Sequence, residues 1–83
     1  MIRQRVRDVV AQVFDRSPDS LPPVAGPDTV EGWTSLRHLR VILGLEEEFG
    51  IEIEPDAVPG LVTDEAMAGY LTEHLTPAAG ADR

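Results

Sequence analysis

Gly32-Trp33-Thr34-Ser35-Leu36-Arg37-His38-Leu39-Arg40-Val41-Ile42-Leu43-Gly44-Leu45-Glu46-Glu47-Glu48-Phe49-Gly50-Ile51-Glu52-Ile53 is the stretch whose reading decides the fold. Leu36, Leu39, Ile42, Leu43, Leu45 and Phe49 recur at steps of three and four, the period of one helical stripe. Thr34 and Ser35 both suit a helix start, because a hydroxyl accepts a hydrogen bond from a free N–H of the first turn. Gly50 suits the position past the end. The spacing therefore predicts a helix from Ser35 to about Phe49. Arg37, Arg40, Gly44, Glu47 and Glu48 are expected to face solvent. Arg40 stands four residues before Gly44, so no ion pair is built there. Ile51-Glu52-Ile53-Glu54 alternates like a strand, but it is short and no other strand exists to pair its backbone. It reads as an extended linker with Ile51 and Ile53 anchored in the core.

Upstream, Ile2, Val6, Val9, Val10, Val13 and Phe14 fall on one stripe of a first helix, about Ile2 to Arg16. Arg3, Gln4, Arg5, Asp8, Ala11, Gln12 and Asp15 mostly take its other side. Ser17-Pro18 is expected to end it, since proline cannot continue the ladder. Residues 17 to 34 hold four prolines and two glycines and form a long loop. Leu21, Val24 and Val30 are expected to pin it, with one short helical turn after Asp19, so the loop is ordered.

Downstream, Pro55-Asp56 opens a short helix that Pro59-Gly60 breaks. Thr63 is an N-cap for a last helix, and Asp64 and Glu65 complement its positive end. Ala66, Met67, Tyr70, Leu71, His74 and Leu75 give that helix its apolar stripe, and Thr76-Pro77 stops it. The predicted fold class is all-α: a small four-helix bundle, three helices long and one short, with a long ordered loop between helices 1 and 2. Residues 1–76 form the domain, and 77–83 read as a flexible C-terminal tail.

The 83 residues fit one domain with a modest core and little room for an enclosed active site. The chain has no cysteine, which excludes disulfides, thiolate catalysis and cysteine-based zinc sites. His38 and His74 lack ligand spacing, so no metal site is expected. Fifteen acidic residues against seven basic ones give a formal charge of −8. That disfavours nucleic acid and anionic membranes and favours partners with basic patches. It also simply keeps a small protein in solution. No apolar run approaches a membrane span and the N-terminus lacks the features of a secretory signal, so a cytoplasmic location and a monomer are the default.

The chain resembles the acyl carrier and peptidyl carrier family over nearly its whole length, the first helix and long loop included, and most strongly from Gly32 to Asp56. That family's pattern is Gly-x-Asp-Ser-Leu, then apolar residues at helical spacing, Leu-Glu-x-x-Phe and an Ile-x-Ile-like stretch. Ser35-Leu36, Leu39, Ile42, Leu45-Glu46, Phe49, Ile51 and Ile53 fall in register. Pro55-Asp56, Thr63 and Tyr70-Leu71 continue the match. The resemblance implies a 4'-phosphopantetheine arm on Ser35 and no catalytic residue in the chain itself. It implies as partners a phosphopantetheinyl transferase, an acyl- or aminoacyl-loading enzyme, and downstream synthase or transferase enzymes. Thr34 departs from the pattern, standing where the family has the Asp thought to help the transferase. So do Arg37 and Arg40, where many fatty-acid carriers are acidic. The second departure points to a specialised pathway, such as polyketide or nonribosomal peptide synthesis.

Ser35 alone would read as a simple N-cap. Its position at a helix start also suits a phosphodiester, because the free N–H groups and the dipole there favour an anion. Thr34, Leu36, Arg37, Arg40, Leu43, Glu47 and Glu48 are the candidate partner-binding residues. Leu36 and Leu43 lie at the stripe's edge and are either core or an exposed apolar pair. Trp33 reads as a loop anchor, and two of Glu46, Glu47 and Glu48 as solvated. The alternative function is a non-catalytic helical interaction module, a degenerate carrier without the arm.

Overall fold

The structure is a computed structural model that describes the backbone of residues 2–80 and the side chains of residues 2–74. Three long helices, α1 (Ile2–Val13), α2 (Ser35–Phe49) and α3 (Asp64–Gly80), are joined by two irregular segments. Each segment carries a 3-10 element, Pro18–Ser20 in the first and Pro55–Gly60 in the second. No strand forms among the described residues. The predicted bundle of three long helices and one short one is the observed architecture.

Helix α1 is the hub, packing against both α2 and α3. Val6, Val9 and Val10 are buried as the spacing predicts, and Ala11 joins them although its place in the pattern suggested the outer side. Small residues let helices approach closely. At the α1–α2 contact, a Cβ on Gly44 would lie 2.8 Å from Val9 Cγ1. Gly44 is therefore half-buried rather than solvent-facing. Gly44→Ala is expected to destabilise the fold by about 1–3 kcal/mol through overpacking, despite alanine's better helix propensity. A urea midpoint equal to or above that of the wild type would contradict the close contact.

Helix α1 stops at Val13, before Ser17-Pro18 can end it. Asp15 takes a left-handed conformation with φ 57°, and the Arg16 N–H donates back to the Ala11 carbonyl at 2.8 Å. Asp is among the few residues that adopt this conformation readily. The long loop that follows is ordered. Ser17 caps the 3-10 turn by accepting from Asp19 N–H. Leu21 and Val30 are buried, as expected, but Val24 is exposed, and Ala25 takes the buried place beside it.

Helix α2 has the predicted bounds. Its Thr34 cap accepts from the Arg37 N–H, and Gly50 leaves it in the left-handed region at φ 66°, where a Cβ would be strained. Its buried stripe, however, is Val41, Ile42 and Leu45, with His38 and Phe49 half-buried. Ile53 is buried and Ile51 half-buried, so the alternating stretch is the expected anchored linker. The Glu46 carboxylate holds it by accepting from the Ile53 N–H at 2.8 Å.

Thr63 caps α3 through a hydrogen bond from the Ala66 N–H at 3.0 Å. Met67 and Leu71 are buried, whereas His74 is exposed and stacks on Tyr70. The side chain of Leu75 lies outside the described residues. The helical backbone passes Thr76-Pro77 and reaches Gly80. Proline removes one N–H there, while Ala78 and Ala79 are the strongest helix formers. Residues 81–83 lie outside the described residues. Asp64, read from sequence as a partner of the helix dipole, is fully buried. Its Oδ1 accepts from the Ala25 N–H at 2.9 Å, and its Oδ2 accepts from Arg7 at 2.7 Å and Arg3 at 3.3 Å. The Asp64 N–H in turn donates to the Ala25 carbonyl at 2.9 Å. One carboxylate thus ties α1, the long loop and α3 together.

Candidate functional site

Ser35 is the first residue of α2 and is exposed. Its position follows from the local sequence. Gly32, at φ 83°, turns the loop, and the Thr34 N–H donates to the Gly32 carbonyl at 2.9 Å. Thr34, extended at φ −89°, then caps the helix with its hydroxyl, and the Arg37 N–H donates to it at 3.2 Å. The cap is thus Thr34 and not Ser35. The Ser35 hydroxyl has no hydrogen bond among the described residues, so it stands free at the positive end of a 15-residue helix. Thr34→Ala is expected to lower stability by about 1 kcal/mol, and Thr34→Asp to leave it nearly unchanged, because both Thr and Asp can cap. Thermal unfolding of the two variants checks this.

Beside Ser35 opens a groove of about 390 Å³ lined by Pro27, Trp33, Thr34, Ser35, His38, Leu39, Val58 and Val62. Its wall is held by a side-chain relay. Trp33 packs on Phe14 with ring centroids 5.0 Å apart, and its Nε1–H donates to His38 Nδ1 at 3.1 Å. A neutral His38 accepting at Nδ1 carries its proton on Nε2, which lies 3.3 Å from the Val58 carbonyl. Trp33 is the expected loop anchor. The relay through His38 was not legible from the sequence, where the histidine falls on the core side of α2 but its partner 20 residues away is unmarked.

The remaining predicted residues line up on α2. Leu36, Leu39 and Leu43 are 60%, 49% and 54% exposed. The structure thus decides the choice at Leu36 and Leu43 for an exposed apolar pair, and it takes Leu39 out of the predicted core stripe. Leu39 is not core because the helix turns His38, Val41, Ile42 and Leu45 inward instead. Arg37 is exposed but folded back, with Nη1 3.4 Å from the Gly32 carbonyl and its guanidinium 5.3 Å from the Phe14 ring centroid. Glu47 and Glu48 are exposed and Glu46 half-buried, as expected. Glu48 accepts from Arg5 at 3.1 Å, an exposed pair of small energetic value. Arg40 is exposed and has no partner among the described residues.

Among the described residues no group of three or more His, Cys, Asp or Glu is placed to hold a metal ion, and no helix is long and apolar enough to cross a membrane. No family model matches the chain. Curated relatives do. An acyl carrier protein of Caulobacter vibrioides is 32% identical over 72 residues, which span 87% of this chain and 92% of the relative. The chain belongs to the acyl carrier protein family. An acyl carrier protein of Zymomonas mobilis is 30% identical over 71 residues, covering 86% of this chain and 91% of its own length. One of Phenylobacterium zucineum is 30% identical over 74 residues, covering 89% and 94%. The likeness to these relatives takes in nearly the whole chain, well beyond the stretch from Gly32 to Asp56.

Proposed function

We propose that this acyl carrier protein family member holds a 4'-phosphopantetheine arm on Ser35 and presents acyl or aminoacyl intermediates to partner enzymes. The observation that carries the reading is the free, exposed Ser35 hydroxyl at the start of α2, its neighbour Thr34 having taken over the capping role. The residues around it fit such a group. The N–H groups of Ser35 and Leu36 open the helix and have no acceptor among the described residues, so an attached phosphodiester finds donors and a favourable dipole. Trp33, His38, Leu39, Val58 and Val62 offer a mostly apolar groove along which the arm can lie. When bound, the arm supplies a thiol on which the cargo is held as a thioester.

The chain itself contributes position and docking. Tethering raises the local concentration of cargo at a docked enzyme. Partners of this reading are a phosphopantetheinyl transferase, a loading enzyme and downstream synthase or transferase enzymes, met through Thr34, Leu36, Arg37, Arg40, Leu43, Glu47 and Glu48. Exposed Arg37 and Arg40 in the first half of α2 favour a specialised pathway with dedicated enzymes. Co-expression with a broad-specificity phosphopantetheinyl transferase is expected to add the mass of one arm. Unmodified protein under those conditions would favour the second reading, an interaction module that keeps the docking face and never receives the arm. Thr34 in the place of the family's Asp is the feature that supports that alternative.

A further inference from the structure

The outward face of α2 carries a pattern that the attachment of an arm does not account for. At about 100° per residue, Leu36, Arg40, Leu43 and Glu47 fall within a narrow strip, with Leu39 on its flank. All five are exposed. Three large apolar side chains bared side by side on a chain of this size mark a contact surface rather than scattered surface leucines. Arg40 sits among them, one helical turn from Leu36 and from Leu43.

The other arginines of the described residues are all engaged. Arg3 and Arg7 bind Asp64, Arg5 binds Glu48, Arg16 binds Ser20, and Arg37 lies over Phe14. Arg40 is the one arginine without a partner among the described residues, in a chain of formal charge −8. It offers a cation where the rest of the molecule offers mostly anions, ringed by apolar surface that would exclude water from a docked pair. About 10 Å farther along the axis, Glu47 ends the strip with the opposite sign.

Resting on the carrier reading, we propose that this strip docks an enzyme whose complementary face is an apolar socket holding a carboxylate for Arg40, with a basic group about 10 Å away for Glu47. The acidic group lies toward the Ser35 end. The two charges thereby fix the direction in which α2 lies on the enzyme, and so the side from which the arm enters. An enzyme with a uniformly basic face would be repelled at Arg40 and is selected against.

The test places the photocrosslinker benzoylphenylalanine at position 43 of the full chain, in cells of the native host. The adduct is digested and the captured segment sequenced. The expected adduct joins position 43 to an enzyme segment bearing Asp or Glu among apolar residues. Its yield falls about tenfold with Arg40→Glu, equivalent to ~1.4 kcal/mol of docking energy, and survives Arg40→Lys. Position 40 is exposed and outside the core, so both variants fold, which circular dichroism verifies. A captured segment that is only basic, capture of a second copy of this chain, a yield indifferent to Arg40→Glu, or no adduct overturns the proposal. Intact mass of the same sample reports the arm on Ser35 separately, so an absent arm and an absent docking partner are told apart.

Discussion

Asp64→Ala is expected to lower the stability of the fold by about 3–5 kcal/mol, the range for removing one member of a buried ion pair. A domain of this size has a total stability on the order of 5 kcal/mol, so the variant should be largely unfolded or close to it. The size of the effect follows from what the carboxylate leaves behind. Arg7, with only 16% of its side chain exposed, loses its 2.7 Å partner, and the buried Ala25 N–H loses its only acceptor among the described residues. Arg3 is half-exposed and contributes less. Asp64→Asn retains an oxygen for the Ala25 N–H and should fall between the two. Urea denaturation followed by circular dichroism measures the series. An Asp64→Ala midpoint near that of the wild type would contradict the role assigned to the cluster.

The same group gives the fold an acid limit. Burial alone would raise the Asp64 carboxyl. The hydrogen bond from Arg7, that from the Ala25 N–H, and the charge and hydrogen bond of Arg3 outweigh it, and hold the carboxyl below its ordinary value. A depressed carboxyl contributes its stability in full above the unfolded value, about 3.9. That contribution is lost as pH falls from there through the lower folded value. Stability of the wild type should therefore drop below about pH 4, and Asp64→Asn should lack that share of the drop. Equal acid profiles for the two proteins would contradict the assignment.

Ser35→Ala is expected to abolish attachment of the arm completely while leaving stability within about 0.5 kcal/mol of the wild type. The two halves of this expectation come from separate observations. The hydroxyl is exposed and makes no hydrogen bond among the described residues, and Thr34 rather than Ser35 caps α2, so nothing structural is removed. Alanine also suits the first helical turn. Modification by a broad-specificity transferase, read by intact mass, and thermal unfolding check the halves independently. Residual addition in the variant would show that the arm sits elsewhere. A large loss of stability would show that the hydroxyl serves the fold.

The residues differ in how much of this was legible in sequence. The bounds of α2 were, because Thr34 and Gly50 are local signals whose chemistry acts within one turn. The end of α1 was not. Proline at 18 is a strong stop, but the chain had already turned at Asp15, whose left-handed backbone carries no marker as clear as a glycine. The inward stripe of α2 is only partly legible for a different reason. Leu36, Leu39 and Leu43 have the helical spacing of a core, and periodicity alone leaves Leu36 and Leu43 open and places Leu39 wrongly, because it cannot distinguish a face that meets α1 from one that meets another protein. Gly44 opposite Val9 is what settles which side turns inward. The Asp64 cluster was hidden by distance, since Arg3 and Arg7 lie 61 and 57 residues away and an Asp in a first turn already has a local explanation. At the site itself, Ser35 and Thr34 were readable as neighbours at a helix start. The division of labour between them, one capping and one free, required their hydrogen bonds.

The most direct measurement is intact mass of the protein purified from its native host, with fragmentation to locate any added group and whatever cargo is esterified to it. One phosphopantetheine per chain is expected, on Ser35, in at least part of the population. A chain carrying no arm, or carrying it on any residue other than Ser35, would contradict this expectation.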